Sequence, residues 1–492
     1  MARDLAAGVD SSTQSCTVVL RRLTDGGVVA EARSPHPPTT PPVSEQRPEA
    51  WWSAFEACLD QLRDHVARIA AISVGGQGHG LVLLDRQDRS IRPAMLWNDT
   101  ESAPDAETLL RKLPAAKWAN LTGSVPGPAM TVSKLAWAER NQPSLIAQAA
   151  RVMLPFDYMV YRLSGHAVTE RGGASGTGYF NPFNNRWELA LADLAAPGIE
   201  WSSKLPEIVT SDARAGVVRE GMGALVGAVV GAGTGDNLTA ALGLNVREGD
   251  TVISLGTSGT LYGRTSTGVR DETGAINGYA DAAGSFVSMI TMLNSAKVTD
   301  AFRRVLGVSY EAFDELALSS PPGAGGLTLV PYLDGERTPN LPRATGSLFG
   351  LRSDVTPAVV ARAAIDGVLC GLLEGGDILA THGVRSDGRL ILTGGAARSR
   401  AYRQALADLT RRTVWTCALV ETAAMGAAVQ ATAALENTRI DVVASAWAPK
   451  LEFAADPNPH TVEAAQAARN AYRAAAARLL DENENSPNRT KT

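Results

Sequence analysis

The sequence predicts an α/β protein built from two similar domains, and three observations carry that prediction. A chain of 492 residues is too long for one ordinary hydrophobic core. Apolar strand-like runs alternate with helical stretches along most of its length. The same opening, a strand, a Gly/Ser/Thr turn and a second strand, occurs in residues 5–20 and again in 251–263. A duplicated plan with a cleft between the halves follows, with the break in the glycine-punctuated stretch 243–250.

The elements read in order. LAAGVDSSTQSCTVVL (5–20) is an opening hairpin, and a Pro-rich loop (34–48) leads to a helix starting near Pro48 with Trp51 and Trp52. Strands follow at 69–76 and 80–85, then helices and loops over 100–170, with one helix at 130–140. The second half has a hairpin at 251–263, a long helix over 356–382, a strand at 389–393 and a helix over 400–411. A strand at 414–417, an Ala-rich helix at 422–435 and a helix near 461–480 complete it. The polar tail 481–492 is expected to be disordered.

Composition excludes several classes. A formal charge of -5 and the lack of any basic run argue against nucleic-acid binding. Cys16, Cys58, Cys370 and Cys417 are scattered without CxxC spacing, which suits a reduced cytoplasm better than a disulfide framework or a zinc site. The first residues carry no apolar leader segment, and no apolar run approaches the roughly 20 residues of a membrane span. The expectation is a cytoplasmic protein.

The most informative segment is VVGAGTGDNLTAALG (229–243): an apolar strand, a glycine turn, then Asp236 at the head of a short helix. Gly233 and Gly235 clear side chains from the turn, so a ligand can approach the backbone. An oriented, partly desolvated carboxylate there meets the needs of a general base in phosphoryl transfer to an alcohol. A helix cap is the far commoner use of Asp at such a position.

No Gly-Lys pair exists, so there is no Walker A loop. Two turns could cradle phosphates instead: DSSTQS (10–15), with Ser12, Thr13 and Gln14, and LGTSGT (255–260), with Gly256, Thr257 and Ser258. Asp10 supplies the oxygen ligand that Mg²⁺ favours. GGAARS (394–399) leaves room at Gly394, Gly395 and Ala396 for a flat ring, or is a plain strand-to-helix turn. GGQGHG (75–80) presents Gln77, Gly78 and His79, and MLWND (95–99) joins Trp97 to Asn98 and Asp99, groups suited to a sugar's C–H face and hydroxyls. DGERTPN (334–340) reads as a charged turn, and GGASGTG (172–178) matches no phosphate-loop spacing.

As an ordered set, DSSTQS, GQGHG, LWND, GTGDN, SLGTSGT, DGERTP and LTGGAARS resemble the FGGY carbohydrate kinases from about residue 5 to 435, most of all the branch acting on xylulose. The resemblance implies two actin-like (ribonuclease H-like, hexokinase/Hsp70-type) domains facing a central cleft, divided as 1–243 for sugar and catalytic base and 244–480 for ATP. It implies Asp236 as base, Asn237 beside it, Asp10 near Mg²⁺ and the phosphates, and Gly78 and His79 on the substrate. Thr257 and Ser258 fall on the second phosphate turn, and Gly394, Gly395 and Ala396 on adenosine. The implied activity is ATP-dependent phosphorylation of D-xylulose to D-xylulose 5-phosphate. Kinases of ribulose, gluconate, fuculose or glycerol, and an inactive sugar sensor of the same fold, are the alternatives. Partners are ATP and a small sugar, with neither nucleic acid nor membrane, and a homodimer is left open.

Three positions and one segment depart from the family's pattern. Ser12 stands where Gly is usual, and Thr17 where Lys is frequent. Gly78 replaces a larger residue, and TERGGASGT (169–177) replaces a segment that commonly holds Ser-Asp. The first pair leaves Asp10 and the hydroxyls in place. The second pair bears on which sugar is taken.

Overall fold

The computed structural model describes residues 3–418 and 421–485. The opening hairpin is β1 (Leu5–Ser11) and β2 (Ser15–Arg22), followed by β3 (Val28–Pro35). β1 and β2 are covered on both faces, which is why they read as nearly unbroken apolar runs. Helix α1 (Pro48–Gln61) starts on a proline, whose missing N–H is no loss in a first turn, and turns Trp51, Phe55 and Cys58 inward at helical spacing. β4 (Ile69–Gly76) is wholly buried. After α2 (Thr131–Asn141) come β5 (Arg214–Val217), β6 (Val229–Gly231) and β7 (Thr234–Gly235), which runs directly into α3 (Asp236–Gly243).

The second half opens with β8 (Thr251–Leu255) and β9 (Gly259–Thr265), then β10 (Phe286–Met292) and α4 (Ala296–Leu306). The long helix α5 (Pro357–Thr381) is capped by the Thr356 hydroxyl, which accepts from the Val359 N–H. β11 (Leu390–Thr393), α6 (Arg400–Thr410), β12 (Val414–Cys417), α7 (Thr422–Glu436), β13 (Leu451–Ala455) and α8 (Val462–Asn485) follow. Residues 481–485, expected to begin a disordered tail, continue α8, and 486–492 lie outside the described residues.

The fold divides into two compact units: 1–246 with 266–287 and 421–449, and 247–265 with 288–420 and 450–492. The first sheet runs β5-β6-β4-β1-β2-β3, with β7 also on β4, and the second contains β10-β9-β8-β11-β12-β13. In each, a hairpin's first strand pairs antiparallel with its second and parallel with a later crossover strand. The duplication seen in the hairpin turns is thus a duplication of sheet topology.

The Ala-rich helix α7 belongs to the first unit, although its sequence lies far into the second half. It docks on β1 and α3 through positions where only hydrogen fits. A methyl on Gly8 would sit 1.7 Å from the Ala424 carbonyl oxygen, one on Gly426 1.8 Å from that of Thr239, and one on Gly243 2.1 Å from that of Thr422. Small residues on all three elements let the backbones meet. Beneath the sheet's other face, Leu5, Val9, Val18, Trp51, Phe55, Ile72 and Phe156 form one buried cluster.

Candidate active site

β1, β4 and β7 are mutually parallel and end at one level of the first sheet. Asp10 is register partner of Gly75 and Ser11 of Gly76, while Thr234 and Gly235 pair with the same two glycines. Asp10 and Asp236 therefore emerge on either side of a strand whose last two residues lack side chains. The carboxyl ends of parallel strands are where α/β sheets bind ligands. Glycine at 75 is required because a methyl there would meet the Thr239 hydroxyl at 2.4 Å, so α3 lies close over the strand end.

Asp236 is the first helical residue of α3, not its cap. Gly235 holds the cap position without a side-chain bond. One Asp236 carboxylate oxygen accepts from its neighbour's backbone N–H at 2.7 Å and from the Asn237 side-chain amide at 3.1 Å. Burial raises its pKa to about 6, against the backbone N–H bonds that lower it. Asp10 is pushed up to about 7, first by burial and then by the charges of Asp236 and Glu421, against the Ser12 hydroxyl, which donates to it at 2.5 Å. The two carboxylates thus sense each other.

The DSSTQS turn is held from several sides. The Ser12 N–H donates to the Ser15 carbonyl at 3.1 Å. Gln46 donates to the Thr13 carbonyl at 3.0 Å and is itself fixed by the Trp51 indole at 2.6 Å. His36 contacts the Ser12 carbonyl at 2.9 Å. The Trp97 indole donates to the Thr13 hydroxyl at 2.9 Å, and the Gln77 amide reaches the Ser12 carbonyl at 3.3 Å. Gln77 is buried and spends its side chain on the turn, whereas Gln14 is exposed. Nothing in the sequence linked Gln46 or His36 to this turn, because their contacts with it span more than 20 residues, and Trp51 acts only through Gln46.

His79 has φ +67° and sits between the Gly176 carbonyl, 2.8 Å from Nδ1, and the Tyr279 hydroxyl, 3.3 Å from Nε2. A methyl on Gly176 would meet the imidazole at 2.4 Å, so the altered 169–177 segment shapes the setting of His79 directly. That segment is a short helical turn whose N–H groups at Gly172 and Gly173 are accepted by buried Glu170. Gly78 faces open space, where an added methyl would meet no atom within 4 Å.

In LWND, Asp99 is fully buried and accepts from the backbone N–H groups of Ser44 and Glu101 at 2.8 and 3.0 Å. Buried Lys134 donates to the Asp99 carbonyl at 3.3 Å and to that of Pro128 at 2.8 Å. Asp99 therefore fixes the loop, and its neighbour Asn98 keeps a buried side-chain oxygen without a partner.

In the second unit, β8 and β11 are parallel with Ser254 opposite Thr393, so the LGTSGT and GGAARS turns leave adjacent strands at the same end. Gly394 has φ +83° and backs onto Leu255, where a methyl would lie 2.5 Å from the carbonyl oxygen. Gly394 and Gly395 are exposed, and Gly395 faces open space. The Gly256 N–H closes on the Ser258 carbonyl at 3.0 Å, and Thr257 is exposed. The N-terminus of α4 abuts this turn, its Ala296 N–H donating to the Gly256 carbonyl at 2.9 Å, with Ser295 buried beside Gly259. In DGERTP, Glu336 is buried and accepts from Leu293, Asn294 and Arg337, which makes it a brace.

Profiles of the FGGY family of carbohydrate kinases match twice, the N-terminal domain over 5–243 and the C-terminal domain over 251–435. The chain belongs to the FGGY family of carbohydrate kinases. This kinase is 40% identical over 462 residues to a xylulose kinase of Streptomyces rubiginosus, with 93% of each chain covered. It is likewise 40% identical over 446 residues to a xylulose kinase of Streptomyces coelicolor, with 90% of each covered. Among solved structures, a xylulose kinase from Bifidobacterium adolescentis superposes with TM-score 0.83 at 34% identity, over 95% of this chain and 99% of that one. A gluconate kinase from Lactobacillus acidophilus, at 23% identity and TM-score 0.89 over 96% and 97%, shares the fold. No helix among the described residues of the kinase is long and apolar enough to cross a membrane.

Proposed function

We propose that the kinase transfers the γ-phosphoryl group of ATP to the terminal hydroxyl of D-xylulose, giving D-xylulose 5-phosphate and ADP, in the cytoplasm. The observation that carries the mechanism is Asp236, half-buried at a strand end across one strand from Asp10, with its pKa lifted to about 6. The sugar oxygen forms its bond to phosphorus as the bond to the bridging oxygen of ADP breaks, and Asp236 takes the hydroxyl proton. Such a transfer needs positioning and charge neutralisation more than covalent help.

Sugar contacts are assigned to Gly78, His79, Trp97, Asn98 and Asn237, with Gln77 and Asp99 acting through the backbone they hold. Ser12, Thr13 and Gln14 form one phosphate turn and Gly256, Thr257 and Ser258 the other, while Gly394, Gly395 and Ala396 receive the adenosine. Asp10 offers one carboxylate at the turn, which fits Mg²⁺, since that ion takes one or two carboxylates and fills its shell with water and phosphate oxygens. Asp10 would hold it, and the ion when bound neutralises phosphate charge.

Two measurements test this. ADP release, followed across D-xylulose, ribulose, gluconate, fuculose and glycerol, should be at least about tenfold more efficient with D-xylulose than with any other. Equal rates with and without every sugar would leave a sensor in place of an enzyme. Asp10→Ala should raise the half-saturating Mg²⁺ concentration by about tenfold or more. An unchanged metal dependence would remove Asp10 from that role.

A further inference from the structure

The proposed transfer builds up negative charge at the DSSTQS turn, yet the turn itself carries no cation. Thr17, the first residue past the turn to share Asp10's face of the sheet, is short and buried. The register of the sheet supplies a cation from the neighbouring strand. Asp10 on β1 is the partner of Thr17 on β2, and Thr17 is the partner of Arg33 on β3. Cross-strand partners point to the same face, so Asp10, Thr17 and Arg33 form one row, with Arg33 two strand spacings (about 10 Å) from β1.

The guanidinium is aimed at the turn. Its Nε donates to the Ser15 hydroxyl at 3.0 Å, leaving the Nη groups to reach beyond. Its charge acts on Asp10, whose pKa it lowers. The nearest carboxylate to Nη1 is Glu421, at 4.0 Å, and 61% of the Arg33 side chain is open to solvent. A pair at that distance, with its guanidinium largely in solvent, contributes little, so the guanidinium leaves it readily for a stronger anion. A planar fork of donors matches the oxygens of a phosphoryl group.

We infer that Arg33 contacts the outer phosphate of bound ATP and neutralises charge developing on the group in flight. This rests on the ATP-dependent reading above, but not on the identity of the sugar. Arg33 forms and breaks no bond and carries no proton.

The test uses the full chain and two ligands, ADP and a non-hydrolysable ATP analogue, with binding followed by calorimetry. Arg33→Met should weaken the analogue about tenfold while ADP stays within about twofold. Its kcat should fall about 10²-fold with the KM for sugar unchanged, Arg33→Lys should recover part of the loss, and added guanidinium salt should restore part of it in Arg33→Met. Unchanged affinities and kcat would overturn the inference, as would equal weakening of both nucleotides, which would make Arg33 a brace for Ser15. A sugar other than D-xylulose as acceptor would leave the two binding results as expected, so the two failures are distinguishable.

Discussion

Asp236→Asn should lower kcat about 10³-fold or more while ATP and ADP affinities stay within about twofold. A positioned general base contributes about 10²–10⁴-fold, and the amide keeps size and hydrogen bonding but cannot take a proton. Single-turnover kinetics beside equilibrium nucleotide binding give both quantities, and parallel loss of the two would make Asp236 a structural residue. In the wild type, kcat/KM should fall as pH drops through about 6, where the base becomes protonated.

The same substitution should stabilise the ligand-free protein at pH 7.5. Burial raises the folded-state pKa from 3.8 to about 6, so between those values the folded form binds the proton more tightly than the unfolded chain. Stability therefore rises as pH falls through about 6 towards 4, and above 6 the desolvated charge is a net cost. Removing the charge should return on the order of 1 kcal/mol, read as a higher Tm. A Tm that falls instead would show that the carboxylate's hydrogen bonds to Asn237 outweigh its desolvation.

Gly8→Ala should be among the most damaging single substitutions away from the chemistry. The added methyl meets the Ala424 carbonyl oxygen at 1.7 Å, a rigid backbone atom of α7 that no rotamer change can move. Overpacking of this kind costs about 3 kcal/mol or more, and a chain this long should lose several degrees of Tm. Gly78→Ala is the matched control, since its methyl meets nothing within 4 Å, and its Tm should hardly change. Equal melting of Gly8→Ala and wild type would mean that α7 does not seat on β1 as described.

Much of the framework was legible in the residues because its signals are local. Strand, glycine turn and carboxylate at 229–236 are a periodicity followed by a breaker, and they fold as read. The helix starting at Pro48 and the two hairpins follow from the same kind of pattern. Asp99 and Gln77 show where such reading stops. Their types suit sugar hydroxyls, yet Asp99 is held by a backbone N–H 55 residues away and Gln77 by a turn 65 residues away. The bland alternative for Asp236, a helix cap, also needed coordinates to dismiss. Cap and first helical position differ by one residue, finer than a propensity can resolve.

What the residue order alone determined is the pair of hairpin turns and the acid that follows the glycine turn, since each depends on neighbours within a dozen positions. Tertiary structure decided which side chains stay available for a ligand: it returned α7 to the first unit, set Gly176 against His79, and lined up Arg33 with Asp10 across three strands. Availability is settled by partners that arrive from distant parts of the chain, because a carboxylate or amide held by them is fixed in direction and keeps fewer lone pairs or protons for a ligand.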